Sequence, residues 1–262
     1  MNRNRCAKSV LKTAGISILA ALFHTACEDN GVTVVTPDVS TFTDGRDGKI
    51  YKKVQIGDQI WMAENLRYEA DGSVCYGEGG SDTFSILEPV PDRDNTWTIK
   101  YITLSEHCDI YGRLYDWNTA MNGEHSSSSV PSGVEGVCPV GWHIPSDAEW
   151  AILIDYIGIN AGTKLKAREW HDTSPEAYEV GPSPDGTDKY RFTALPGGMG
   201  SHHDGKTSGI HGDWNGYWWT ATEAESDELQ AWNREIMGSQ TGVTRGRLDK
   251  HAYFLSVRCV HD

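Results

Sequence analysis

Four cysteines, Cys75, Cys108, Cys138 and Cys259, lie downstream of an N-terminus built for export, and that combination constrains the fold more than any other feature. The leader carries Arg3, Arg5, Lys8 and Lys12 and no acidic residue, then a short apolar stretch from Ala14 to Phe23. A basic segment followed by a brief apolar core is the form of a secretion signal, and the stretch falls short of the ~20 apolar residues that span a bilayer. Residues 1–26 are therefore expected to be a signal peptide. In an oxidising compartment an even set of cysteines implies a disulfide framework, here about two bridges with three ways to pair. Cys6 leaves with the leader. The expected pairs are Cys75–Cys108, closing a local polar insertion, and Cys138–Cys259, tying the middle of the domain to its last strand. No C-x-x-C spacing occurs, so a zinc site is not expected.

The apolar run ends at His24-Thr25-Ala26-Cys27. This resembles the lipobox of bacterial lipoproteins, where small residues precede a cysteine that is diacylated and becomes the new N-terminus. Ala26 and Cys27 fit; His24 stands where the pattern carries an aliphatic residue. The resemblance implies lipidation at Cys27, and so an exported protein held at the outer membrane or cell surface by acyl chains. Residues 27–43 are rich in Thr, Val and Asp without helical period and are expected to be a flexible tether. The domain proper is expected over 44–262.

Charge narrows the partners. The net charge is −14, and falls to −18 once the four basic residues of the leader are gone. Such a chain is a poor candidate for nucleic acid or anionic lipid headgroups. Neutral sugars and calcium stay open. The 236 residues that remain suit one domain with a proper core.

Local patterns place several elements. Ile50–Ile56 and Gln59–Met62 flank Gly57-Asp58, a hairpin signal with a II′-type turn. Residues 71–108, rich in Gly, Ser, Asp and Pro, read as a long irregular loop. A short helix is expected within 112–123, with Leu114, Trp117 and Met121 on one face. Ser146-Asp147-Ala148-Glu149 is a capping box, and Trp150, Leu153, Ile154 and Ile157 continue it as the buried face of a helix ending at Gly158. A shorter helix is expected over 163–170. Strands are expected at 190–195, 217–222, 231–236 and 252–260. Together these predict an α+β fold, antiparallel strands with one or two packed helices.

These segments resemble the Fibrobacter succinogenes major paralogous domain, a family of surface-associated bacterial domains. The resemblance runs through Asp47-Gly48-Lys49-Ile50-Tyr51, Ile56–Leu66, Tyr111-Gly112-Arg113-Leu114-Tyr115-Asp116-Trp117 and Cys138–Trp150. It closes on Ala194–Gly198, Gly216–Glu223 and Ser256-Val257-Arg258-Cys259-Val260. It implies a surface location and, at one remove, a C-type-lectin-like fold similar to that of formylglycine-generating enzymes. It implies no catalytic residue.

Three groups are candidates for chemistry. Trp214, Asn215, Trp218, Trp219, Glu223 and Trp232 pair aromatic faces with amides and a carboxylate, as a sugar site requires. The competing reading makes Trp218 and Trp219 packing residues on opposite faces of a strand. Ser201-His202-His203-Asp204 with His211 and Asp213 holds metal-binding side chains at no standard spacing, so no metal site is expected. Asp44-x-x-Asp47-Gly48 and the acidic run Glu223, Glu225, Asp227 and Glu228 keep calcium open. The Glu88-Pro89-Val90 and Asp213-Trp214-Asn215 segments are loose echoes of the calcium motifs of C-type lectins. No P-loop, G-x-S-x-G, H-E-x-x-H or dinucleotide fingerprint occurs. His143 is expected to position its neighbours rather than act as a base. The expected function is a non-catalytic binding or adhesion domain on a surface lipoprotein, with polysaccharide as ligand. The alternatives are a structural surface protein without a small ligand, and a carbohydrate-active hydrolase.

Overall fold

The computed structural model describes residues 25–27, 33–35, 37–76, 83–89, 97–168, 170, 186–203, 206–210 and 214–262. Residues 1–35 form a unit of their own, within which Thr25–Cys27 (β1) pairs antiparallel with Thr33–Val35 (β2). Residues 1–24 of the expected signal peptide lie outside the description.

The second unit, 36–262, opens with a three-stranded meander: Val39–Thr43 (β3), Ile50–Ile56 (β4) and Gln59–Met62 (β5). The expected tether therefore ends earlier than 43. Its last five residues pair with β4 from Val39↔Val54 to Thr43↔Ile50, because Val39-Ser40-Thr41-Phe42-Thr43 is a β-branched and aromatic run. The β4–β5 hairpin turns at Gly57-Asp58 as expected, with a positive φ of 61° at Gly57. Side chains alternate between two cores. Tyr51 and Met62 enter one; Val54, Ile56 and Trp61 enter the other.

The segment 71–108 departs from the expected irregular loop. It contains Thr83–Pro89 (β6) paired antiparallel with Trp97–Thr103 (β7), followed by Leu104–Tyr111 (α1). Alternation such as Trp97-Thr98-Ile99-Lys100-Tyr101 drives the strands, and the Gly- and Pro-rich neighbours hide it in a composition count. Thr103 and Glu106 cap α1 reciprocally, the Glu106 carboxylate taking the Thr103 N–H at 2.8 Å. Both expected disulfides are present, Cys75–Cys108 and Cys138–Cys259.

Leu114–Tyr115 (β8) precedes Trp117–Met121 (α2), which starts later than expected because Asp116 is its N-cap, accepting from the Thr119 N–H at 2.7 Å. Trp142–His143 (β9) leads into Asp147–Ile157 (α3), which has the expected Ser146–Glu149 box and buries Trp150, Leu153 and Ile157. The second short helix sits at Ala161–Leu165 (α4) rather than 163–170. The strand expected at 190–195 does not form. Arg191 and Thr193 have φ of 56° and 53°, which breaks an extended run, and an isolated bridge from Ala194 to Lys166 is what remains.

The C-terminal part supplies Met199–His203 (β10), Lys206–Ile210 (β11), Asn215–Ala224 (β12), Asp227–Met237 (β13), Thr244–Asp249 (β14), Tyr253–Ser256 (β15) and Val260–His261 (β16). The strand expected at 252–260 is thus two strands, and they join different sheets. One sheet runs β11-β10-β15-β12-β13-β14 with β8 also on β15; the other runs β3-β4-β5-β16-β9. With four helices among the described residues against these mainly antiparallel sheets, the fold is α+β. No described helix is long and apolar enough to cross a membrane.

One polar side chain joins the motif segments. Asn65 is buried just after β5. Its Oδ1 accepts from Trp218 Nε1 at 2.8 Å and from Arg258 Nε and Nη2 at 3.1 and 2.7 Å. Its Nδ2 donates to Tyr111 O at 2.8 Å and Ser256 Oγ at 3.3 Å. Arg258, fully buried, also donates to the Phe192 and Thr193 carbonyls. A buried polar group is tolerated when its partners are all in place.

Candidate functional site

The aromatic residues proposed from sequence do not assemble into one site. Trp218 and Trp219 are both 0% exposed, on opposite faces of β12, one in each core. Their indole N–H groups are spent on Asn65 Oδ1 and Tyr115 O, each at 2.8 Å. A ring with no exposed face cannot stack on a sugar, so both leave the candidate set. Trp214 and Asn215 lie at one end of β12 and Glu223 towards the other, roughly 25 Å apart along an extended strand. Asn215 Oδ1 accepts from the Gly238 N–H at 3.0 Å, and Glu223 is bound to Lys250 Nζ at 2.5 Å. Trp232 is half-buried, and the Arg245 guanidinium covers its ring at 3.3 Å from the centroid.

The other candidates separate as well. Cys27 falls in β1, and its side chain lies outside the description, as do Asp204, His211, Asp213 and the side chains of Glu88 and His203. His202 is exposed and edge-on to Phe254 at 4.5 Å. Asp44 is buried against Arg46 at 2.7 Å, and Asp47 pairs with Lys49 at 2.9 Å, so the two carboxylates of the proposed calcium loop already face cations. Among the described residues no group of three metal-binding side chains comes together.

His143 is 2% exposed between two carboxylates, with Nε2 2.8 Å from Glu149 Oε1 and Nδ1 2.7 Å from Asp262 Oδ1. Both ring nitrogens face acceptors, which calls for the imidazolium. Burial pulls its pKa down, but the hydrogen bond and charge of Glu149, then those of Asp262, outweigh it and leave the pKa raised. Glu149 Oε2 is meanwhile occupied by the Ser146 and Ser132 N–H groups at 2.9 and 3.0 Å. The cluster clamps the last residue onto the start of α3.

What the structure does assemble is a cleft of about 400 Å³ beside the Cys75–Cys108 disulfide. Its lining brings Lys49, Arg67 and Arg113 together with Glu69, Asp109 and the first turn of α1, Leu104 and Ser105. The backbone explains how. Leu66 hangs from Val257 O at 2.9 Å, its own carbonyl accepts from the Arg113 N–H at 3.0 Å, and Leu114 and Val74 exchange bonds at 2.8 and 2.9 Å. Three distant segments are thereby laid side by side. Gly112 permits it: a Cβ there would stand 2.6 Å from Asn65 Cβ and 3.0 Å from Leu66 O, at a φ of +88°.

Each cation is held differently. Arg113 donates to Ser73 Oγ and Ser73 O at 2.9 and 2.8 Å and stands 3.7 Å from Glu69, which is 77% exposed on the rim. Lys49 bonds Asp47 and the Arg67 carbonyl. Arg67 lies over the Tyr51 ring, its Nη1 and Nη2 donating to the carbonyls of Asp109 and Ile50 at 3.2 and 2.7 Å. No carboxylate pairs with it among the described residues, and its Nε is buried without an acceptor. Burial pushes the Tyr51 hydroxyl up to about 12, so it stays protonated while accepting the Arg67 N–H at 3.0 Å.

None of these three cations was among the sequence candidates. Lys49 and Arg113 sat inside motifs that read as markers of fold, and Arg67 directly follows one. Nothing local signals that they converge. In comparisons with known proteins, residues 54–261 match the model of a family described as the Fibrobacter succinogenes major domain. No curated protein and no solved structure matches the chain.

Proposed function

The chain belongs to the Fibrobacter succinogenes major domain family, and from that premise we propose that it is an exported, lipid-anchored surface protein whose lectin-like domain binds polysaccharide without cleaving it. The observation that carries the reading is the polar cleft beside Cys75–Cys108. It offers charged groups and hydrogen-bond donors over an area suited to part of a saccharide chain. Trp218 and Trp219 contribute nothing to it, since both are buried as packing residues. Adhesion through the cleft fits a domain presented at a surface from Cys27.

A glycan array probed with the mature domain, with and without calcium, tests the binding. Capture of one or more polymers without turnover is the expected result. Binding to no glycan would leave a structural surface protein, and hydrolysis of a bound polymer, lost on replacing one carboxylate, would make it an enzyme. Fatty-acid labelling tests the anchor: wild type should incorporate label and Cys27→Ser should not.

A further inference from the structure

We propose that the cleft takes an anionic group of the polysaccharide, a carboxylate or sulfate, and that Arg67 with Arg113 makes the contact. The inference rests on reading the domain as a polysaccharide binder and names the class of polymer.

The argument starts from charge. The whole chain carries −14, so a cluster of three cations lining one cleft runs against its average surface. Lys49 and Arg113 have carboxylates nearby, at 2.9 and 3.7 Å. Arg67 has none among the described residues, and it is held by carbonyl oxygens and a ring face. A guanidinium kept in place with its charge uncompensated is a preorganised receptor for an oxyanion. Beyond those carbonyl bonds Nη1 and Nη2 each keep a second N–H for the oxygens of a carboxylate or sulfate, and the groups that orient the guanidinium lower the entropy lost on binding.

The helix adds to this. Leu104 and Ser105, the first turn of α1, form part of the same lining. The capping box satisfies the Thr103 and Glu106 N–H groups, and the end of α1 that carries the positive helix dipole borders the cleft. The Cys75–Cys108 bridge, also on the lining, ties the middle of α1 to the chain segment before it and so holds the helix beside the cleft. Glu69 and Asp109 are the opposing charges on the lining, and both are exposed. An anion would feel Glu69 as repulsion, partly screened by water.

The sign of that repulsion makes the test sharp. Binding of the mature domain is measured to polygalacturonate, to dextran sulfate and to neutral dextran, at fixed salt. The expected result is binding to a charged polymer and not to dextran, the preferred polymer telling carboxylate from sulfate. Arg67→Gln should weaken it about tenfold, and Arg113→Gln by a comparable factor. Glu69→Gln should strengthen it about two- to threefold, a gain that a folding defect does not produce. Thermal melting of each variant accompanies the binding. Equal binding to dextran overturns the anionic inference and leaves the polysaccharide reading standing. No binding to any glycan overturns both. Charged-polymer binding that Arg67→Gln, Arg113→Gln and Glu69→Gln all leave unchanged puts the anion elsewhere and overturns the site.

Discussion

The Nη2 of Arg258 stands 2.7 Å from the Oδ1 of Asn65, and that contact joins the last strands to the segment that leaves the β4–β5 hairpin. Asn65 Oδ1 serves Trp218 as well, so removing it strands two buried donors. Asn65→Leu is expected to cost about 3–5 kcal/mol, since it leaves a buried guanidinium without its side-chain acceptor. Arg258→Met should cost less, because Asn65 keeps Trp218, Tyr111 and Ser256. Urea unfolding of both variants, under non-reducing conditions, checks the order. Arg258→Met proving the more damaging would refute the account of Asn65 as the hub.

The His143 cluster predicts a dependence on pH. The imidazole pKa is raised above its ordinary 6.5 in the folded state. Its contribution is therefore fully present below about pH 6.5 and is lost as pH rises through the folded-state value. Urea midpoints between about pH 5.5 and about pH 9 should fall with rising pH in wild type, and the fall should flatten in His143→Gln. Asp262→Asn, with Glu149 intact, should show an intermediate slope.

The two disulfides should separate into different roles. Cys138–Cys259 closes a span of 121 residues and Cys75–Cys108 one of 33. Loop-closure entropy puts their contributions near ~5 and ~4 kcal/mol. Replacing both cysteines of the first pair by Ala should lower the melting temperature more. Replacing both of the second should remove the cleft's affinity while the core still unfolds cooperatively. Intact binding without Cys75–Cys108 would show that the bridge does not hold the cleft.

Gly112→Ala tests how the cleft is built. The new methyl meets Asn65 Cβ at 2.6 Å and the Leu66 carbonyl at 3.0 Å, and an alanine at φ +88° is strained before any contact. A loss of about 2 kcal/mol or more is expected in thermal or urea unfolding. Gly123→Ala is the control: it shares a positive φ of 82° but has open space around the methyl. Its cost should be the smaller by the part due to contact.

Capping offers a smaller, cleaner number. Ser146 Oγ accepts from the Glu149 N–H at 3.2 Å, and Ser146→Ala should cost about 1 kcal/mol in the same assay.

What was legible in the sequence was what neighbouring residues decide. The α3 cap and its buried face, the Gly57-Asp58 hairpin and the two cysteine pairs follow from spacing within a few residues or from the simple pairing of four cysteines. The β6–β7 hairpin was obscured because turn-forming residues around it dominate the local composition. Residues 190–195 looked like a strand and are not, since Arg191 and Thr193 take a positive φ that no propensity scale registers. The packing reading of Trp218 and Trp219 was legible too, since adjacent residues on a strand face opposite ways, and each finds a core on its own side of β12. The cleft could not be read at all. Arg67 and Arg113 become neighbours through main-chain bonds at Leu66, Val74 and Leu114, and those bonds leave no periodic trace.

The placement of the final strands carries a consequence for timing. β15 lies between β10 and β12 in one sheet, and β16 between β5 and β9 in the other. Neither sheet can close before residues 253–261 arrive, so a partly delivered chain has two open seams where its centre should be. Neither sheet can be completed from one end to the other as the chain emerges, and closure awaits long-range pairings that form slowly. Under the export proposed above, such an arrangement would keep the chain from collapsing into its finished shape before it had crossed a membrane.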